Sequence, residues 1–191
     1  SFMRQIVTEA GAQNVALYSK VRGAASVAEG ILDEIENRRN LKWLLAGWPG
    51  HLDSKALAEN PVKVALQKAR TNVAVLLDRG LDEVNHILVP VGGGLHSRMA
   101  LRLANEIAMV DDARITALRL LTESVEEEEI EDQNSYLAEI VEEALGEVPE
   151  NFDLQVTQAE SVAQGILEEA NRRPYDLIVL GASEEWAQDT R

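Results

Sequence analysis

Cysteine is absent from all 191 residues. That excludes disulfides, thiolate catalysis and cysteine-type zinc sites, and it fits a reducing cytosol without requiring one. Aromatic residues make up only 4% of the chain, so aliphatic side chains must fill any core. No apolar run approaches the ~20 residues needed to span a bilayer, and no signal peptide is visible at the start. Direct membrane insertion of this segment is therefore not expected. Basic residues are in deficit, 18 Lys and Arg against 33 Asp and Glu, for a formal net charge of −15. Nucleic acid is excluded as an expected partner because phosphate binding needs a basic face. An anionic membrane surface is disfavoured on the same ground.

Several catalytic patterns are missing too. The three histidines, His51, His86 and His96, lack a metal-type spacing such as His-x3-His, and no metal site is expected. There is no Gly-Lys-Ser/Thr to complete a Walker loop, no Gly-x-Gly-x-x-Gly dinucleotide fingerprint and no Gly-x-Ser-x-Gly nucleophile turn. The chain is not expected to be an enzyme.

What is present centres on residues 86–108. An apolar run, Ile87 to Val91, meets three glycines, Gly92, Gly93 and Gly94, and a helical pattern follows with apolar residues at Leu95, Met99, Leu103 and Ile107. This reads as a buried strand, a tight turn and a helix, the opening of a parallel βαβ unit. The glycine amides ahead of a helix could cradle an anion. Equally, such a turn needs glycines for positive φ and close packing. His96 and Ser97 stand at the helix start, Ser97 as a cap or packing residue.

The remaining chain alternates between helical and strand patterns. Residues 4–10 read as the end of a helix closed by Gly11, and Val15–Tyr18 as a short strand. Ser26 is placed to cap a helix carrying Val27, Ile31 and Ile35 on its apolar face. Leu41–Ala46 reads as a buried strand, Gly47-Trp48-Pro49-Gly50 as a turn, Val62–Arg70 as a helix and Val73–Leu77 as a strand. Asp78–Asn85 is the linker candidate. Strand Arg114–Leu121, an acidic run from Glu126 to Asp132 suited to a loop or helix start, and helix Tyr136–Leu145 closed by Gly146 come next. Strand Leu154–Thr157, helix Ser161–Arg172 and strand Asp176–Leu180 complete the pattern.

Two segments are near copies: Ser26–Glu34 matches Ser161–Glu169 at an offset of 135, and Gly47 matches Gly181 at an offset of 134. Ile6-Val7 with Gly11 resembles Ile140-Val141 with Gly146. The period is that of an ordinary domain rather than a solenoid repeat. The expected domains are a partial first copy at 1–80 and a second copy at 84–191. On this reading the first copy starts inside its second helix and the second stops short of its last strand, so exposed strand edges need covering.

The residues Ile87-Leu88-Val89-Pro90-Val91, the glycine turn, Ser97 leading into Ala100-Leu101-Arg102-Leu103-Ala104, and Asp176–Gly181 resemble the universal stress protein superfamily. The resemblance implies an α/β fold, an open parallel sheet with helices on both faces in strand order 3-2-1-4-5, here as tandem copies, and dimers formed through the last strand. Members that bind ATP or AMP carry an Asp at the end of the first strand, where this chain has Gly92. They also carry Gly-x2-Gly-x9-Gly-Ser/Thr after the fourth strand. Gly47 and Gly50 fit its start, but Asn60-Pro61 replace its end. Gly181 fits in the second copy, but Glu184 replaces the next glycine, and a carboxylate there repels phosphate. The resemblance thus implies a vestigial nucleotide site at Gly92, Gly93, Gly94, Ser97, Gly47, Gly50 and Gly181. No resident cofactor is expected, with ATP or AMP as the alternative ligand.

Val-Gly-Gly-Gly-Leu-His-Ser-Arg and Gly-Trp-Pro-Gly look like the forms found in stress-protein domains fused behind amino acid permeases and cation–chloride cotransporters. That narrower likeness implies a cytoplasmic, non-catalytic regulatory or dimerisation domain. Its partners would be a second copy and the transmembrane part of a parent transporter. The alternative is a soluble tandem universal stress protein binding ATP or AMP.

Overall fold

A computed structural model describes residues 2–12, 15–48, 60–123 and 127–182. The chain divides into two compact units, Ser1–Arg79 and Gly80–Arg191.

In the second unit the order is β3 (His86–Pro90), α4 (Leu95–Asp111), β4 (Arg114–Leu121), α5 (Glu127–Leu145), β5 (Phe152–Gln158), α6 (Val162–Arg172) and β6 (Leu177–Ile178). The four strands form one sheet in the order β5-β4-β3-β6. Every pair is parallel, with Leu88 opposite Thr116 and Ile178, and Thr116 opposite Asp153. This is an α/β fold with a parallel sheet and helices. The expected order 3-2-1-4-5 needs a fifth strand, and none is found among the described residues of this unit. β6 is also shorter than the expected Asp176–Leu180, although the Val179 N–H still donates to the Leu88 carbonyl at 2.9 Å.

β3 is central because its side chains are apolar on both faces: Ile87, Leu88 and Val89 are all fully buried, the pattern of a parallel strand covered on two sides. Ile87 and Val89 join Ile115 and Ala117 in a core closed by Ala100, Leu101, Ala104 and Ala108 of α4 and by Leu137, Ile140 and Val141 of α5. The expected apolar stripe on α4 is corrected here. Leu95 is exposed, Met99, Leu103 and Ile107 are only half-buried, and the buried face is Ala100, Leu101, Ala104 and Ala108. Alanines let the helix lie closer to the sheet than a leucine row permits. Gly146, at φ +91°, closes α5 by donating its N–H to the Glu142 carbonyl.

The first unit contains α1 (Phe2–Ala12), α2 (Val27–Glu36), β1 (Trp43–Gly47), α3 (Pro61–Lys68) and β2 (Asn72–Leu76). Ser26 caps α2 as expected, its Oγ accepting from the Glu29 N–H at 3.1 Å. Asn60 caps α3 through its Oδ1 and the Val62 N–H at 2.8 Å, with Pro61 at the first helical position. The sheet is two parallel strands, β1 and β2. Three expectations are corrected. α1 runs through Gly11 instead of ending before it. Val15–Tyr18 is not a strand, and its residues are exposed. Leu41–Ala46 is not a buried strand: β1 starts at Trp43, and Leu45 is 67% exposed. A strand exists by pairing and a buried one by cover, and both are supplied by distant chain. Pro49 and Gly50 of the expected turn lie outside the described residues.

Glu34 of α2 gathers three cations. Lys20 Nζ lies 2.6 Å from Oε2, Arg38 Nε 2.6 Å from Oε1 and Arg22 Nη1 3.0 Å from Oε2. Chiefly the bonds from Lys20 and Arg38 pull the carboxyl pKa down to about 2. A carboxylate depressed in the fold adds stability above its unfolded pKa and loses it as pH falls through the folded value. NMR titration of the Glu34 side chain is expected to give a midpoint near 2, and Lys20→Ala to move it up. An ordinary midpoint in the unsubstituted protein would contradict the geometry.

Candidate functional site

The second unit gathers the glycine turn, the start of α4 and the end of β6 at one end of its sheet. Beyond β3 the Gly92 N–H donates to Ser97 Oγ at 3.0 Å. Ser97 is thus the residue that closes the loop back on the helix, and Gly94 takes the N-cap position without a side-chain cap bond. Gly93 adopts φ +92°, and a Cβ there would lie 2.7 Å from Tyr136 Oη. Both the positive φ and the close approach require glycine. Gly181 is pressed on the first turn of α4: a Cβ on it would fall 2.5 Å from the His96 carbonyl carbon and oxygen. Gly92, Gly93, Gly94, Ser97 and Gly181 are thus brought together. Gly47 belongs to the first unit, at the end of β1, and Gly50 and Glu184 lie outside the described residues.

The chemistry open to this cluster is limited. No acidic residue stands in the first turn of α4, so its N–H groups present a positive dipole end. However, one loop amide is already taken by Ser97, and the backbone after β6 lies against the helix start. At the end of β3, where an adenine-contacting carboxylate would stand, Gly92 offers none. No local pattern pointed to Tyr136, which lies 43 residues beyond Gly93 and meets it through the packing of α5.

A second polar cluster at the opposite end of the sheet was not anticipated from sequence. Asp176 Oδ2 accepts from the backbone N–H groups of Asn85 and His86, at 2.8 and 3.0 Å, fastening β6 to the start of β3. His86 Nε2 lies 2.9 Å from Thr116 Oγ1, and its ring packs 4.4 Å from that of Tyr175. Tyr175 Oη donates to Glu169 Oε1 at 2.8 Å and Gln155 Nε2 to Glu169 Oε2 at 2.9 Å. Glu169 is only 2% exposed. Burial, the main cause in each, lowers the His86 pKa and raises that of Tyr175. The bond that Arg173 Nη1 donates to Asp153 Oδ2 at 2.9 Å raises the Arg173 pKa. The Thr116 hydroxyl is fully buried, so the His86–Thr116 pair offers no nucleophile to a substrate, and the cluster ties α6 to the sheet. Among the described residues no group of three His, Cys, Asp or Glu could hold a metal, and no helix is long and apolar enough to cross a membrane.

The family model for the universal stress protein family matches residues 83–188. No curated protein matches the chain. Among solved structures, a universal stress protein from Archaeoglobus fulgidus superposes on 97% of this chain at 13% identity and TM-score 0.66, the match covering 66% of that protein. A universal stress protein family member from Burkholderia pseudomallei matches 55% of this chain and 86% of its own, at 20% identity and TM-score 0.41. A universal stress protein in complex with cAMP matches 51% and 71%, at 15% identity and TM-score 0.40. At 13% identity the likeness to the Archaeoglobus fulgidus protein is one of fold.

Proposed function

This chain belongs to the universal stress protein family, and from that premise we propose that it is a non-catalytic regulatory and dimerisation domain on the cytosolic face of a membrane transporter. The transporter is of the amino acid permease or cation–chloride cotransporter kind, and the domain is built from two imperfect copies of the family's fold. The observation that carries the non-catalytic, ligand-poor part is the glycine turn. Its Gly92 amide is satisfied by Ser97, its end of β3 bears no carboxylate, and Gly181 packs on the helix start. The transporter part is supported by the Val91–Arg98 and Gly47–Gly50 sequences. The copy relation is supported by the caps: Ser26 and Ser161 each accept from the N–H three residues on, at 3.1 and 3.2 Å.

A second reading, a soluble tandem stress protein binding ATP or AMP, is favoured by the acid-free first turn of α4. Titration calorimetry with ATP, AMP and cyclic AMP separates the two. The expected result is no binding at ligand concentrations up to about 1 mM, a free energy weaker than about −4 kcal/mol. Micromolar binding would overturn the ligand-poor reading. Phosphate release from ATP is expected at the no-protein background. Light scattering is expected to give a dimer of the 21.0 kDa chain.

A further inference from the structure

We propose that the sheet of the first unit holds an open slot two strands wide, between residues 18–22 and β1, shaped to take a βαβ segment like β3–α4–β4 of the second unit. This rests on the two-copy reading above but not on the transporter role.

The first observation is that residues 18–22 stand to α2 as β5 stands to α6. Glu34 takes Lys20 Nζ at 2.6 Å and Arg38 Nε at 2.6 Å. Glu169 takes Gln155 Nε2 at 2.9 Å and has Arg173 Nε at 3.6 Å. Each of the three pairs, Glu34 and Glu169, Lys20 and Gln155, Arg38 and Arg173, is separated by the repeat offset of 135. Yet β5 is paired with β4, whereas 18–22 pair with no strand among the described residues, and Tyr18 and Val21 are 85% and 98% exposed. The unmade strand at Val15–Tyr18 has the same cause: no neighbour for it in the sheet is found among the described residues.

The second observation comes from glycines that both copies keep. A Cβ on Gly165 would meet Leu120 of β4 at 2.5 Å, while one on Gly30 would meet only Ala24, at 3.2 Å. A Cβ on Gly181 would meet His96 of α4 at 2.5 Å, while one on Gly47 would meet nothing within 4 Å among the described residues. In the second unit both glycines make room for parts of β4 and α4. In the first unit the same room is open.

The third observation is the edge of β1 that faces away from β2 and pairs with no strand among the described residues. The Trp48 N–H donates to the Leu76 carbonyl of β2 at 2.7 Å. Alternation along the strand therefore turns the Leu45 N–H away from β2. Its counterpart by the Gly47–Gly181 offset is Val179, whose N–H donates to Leu88 of β3. In the second unit β4 and β3 lie between β5 and β6, so the slot takes two parallel strands, about 14 Å from 18–22 to β1 at the usual strand spacing. In that unit β3–α4–β4 run directly into α5, so the same element order places the occupant ahead of α1.

Two proteins test this. In one, a copy of residues 84–135 is fused ahead of Ser1 of the full chain. In the other, residues 18–47 replace residues 153–181 inside the second unit. The readout is amide hydrogen exchange at Arg22 and Leu45. By the offset of 135 Arg22 stands where Thr157 does, and since the Ala159 N–H donates to the Leu121 carbonyl, alternation turns the Thr157 N–H toward β4. In the unfused chain both are expected to exchange near the intrinsic rate, and in the fusion at least about 100-fold slower. Protection in the fusion supports the slot. Fast exchange in the fusion with protection in the replacement protein overturns the slot while leaving the two copies equivalent. Fast exchange in both overturns slot and two-copy reading together. Protection already present in the unfused chain overturns the proposal as well, since something else then fills the place.

Discussion

Gly181→Ala is expected to destabilise the second unit by about 3 kcal/mol, a fall in its melting temperature of roughly 10 °C or more. The new methyl would sit 2.5 Å from the carbonyl carbon and oxygen of His96 and 2.9 Å from the Ser97 nitrogen. These are backbone atoms of the first turn of α4, so no side chain can swing aside. Either β6 lifts from β3 or the helix start shifts and breaks the Gly92–Ser97 bond. Gly47→Ala is the matched control, because no atom of the described residues lies within 4 Å of a Cβ there, and its substitution is expected to change stability by no more than about 0.5 kcal/mol. Urea unfolding of both variants decides the matter. A loss below about 1 kcal/mol for Gly181→Ala would show that the end of β6 is not held against α4 as described.

Glu169→Ala is expected to cost a similar amount, about 3 kcal/mol, through a different cause. Glu169 is buried at 2% exposure and accepts from Tyr175 Oη and Gln155 Nε2. Its removal takes the acceptor from two half-buried donors, of which Gln155 Nε2 keeps Thr157 Oγ1 at 3.2 Å, and leaves an unfilled space under α6. Arg172 and Arg173 have side chains 58% and 44% exposed, so their charges contribute little. Tyr175→Phe, which deletes a single donor and keeps the ring on His86, is expected to cost only about 1 kcal/mol. If Glu169→Ala and Tyr175→Phe prove equally mild by urea unfolding, the network does not hold α6 to the sheet.

The parts legible in the sequence were those set by neighbours in the chain. Ser26 and Ser161 cap because a hydroxyl three residues before a helical N–H can always reach it. The apolar run at Ile87–Val89 announced a strand covered on both faces. Membership of the universal stress protein family was legible in the same stretch, and residues 83–188 carry it. The face of α4 was misjudged because leucine and methionine at four-residue spacing look like a core stripe. The distance between helix and sheet, which no local pattern contains, selected the alanines instead.

Composition, charge and the duplicated helix with its caps follow from covalent order alone, since each is a matter of which residues adjoin. The tertiary structure decided what identical residues do. Gly47 and Gly181, and likewise Gly30 and Gly165, carry the same letters, but Gly181 and Gly165 meet a helix and a strand brought from far along the chain, while Gly47 and Gly30 meet no such element among the described residues. Burial, pairing and close approach belong to whatever a fold sets opposite a residue, and a lone copy of the letter cannot say what that is.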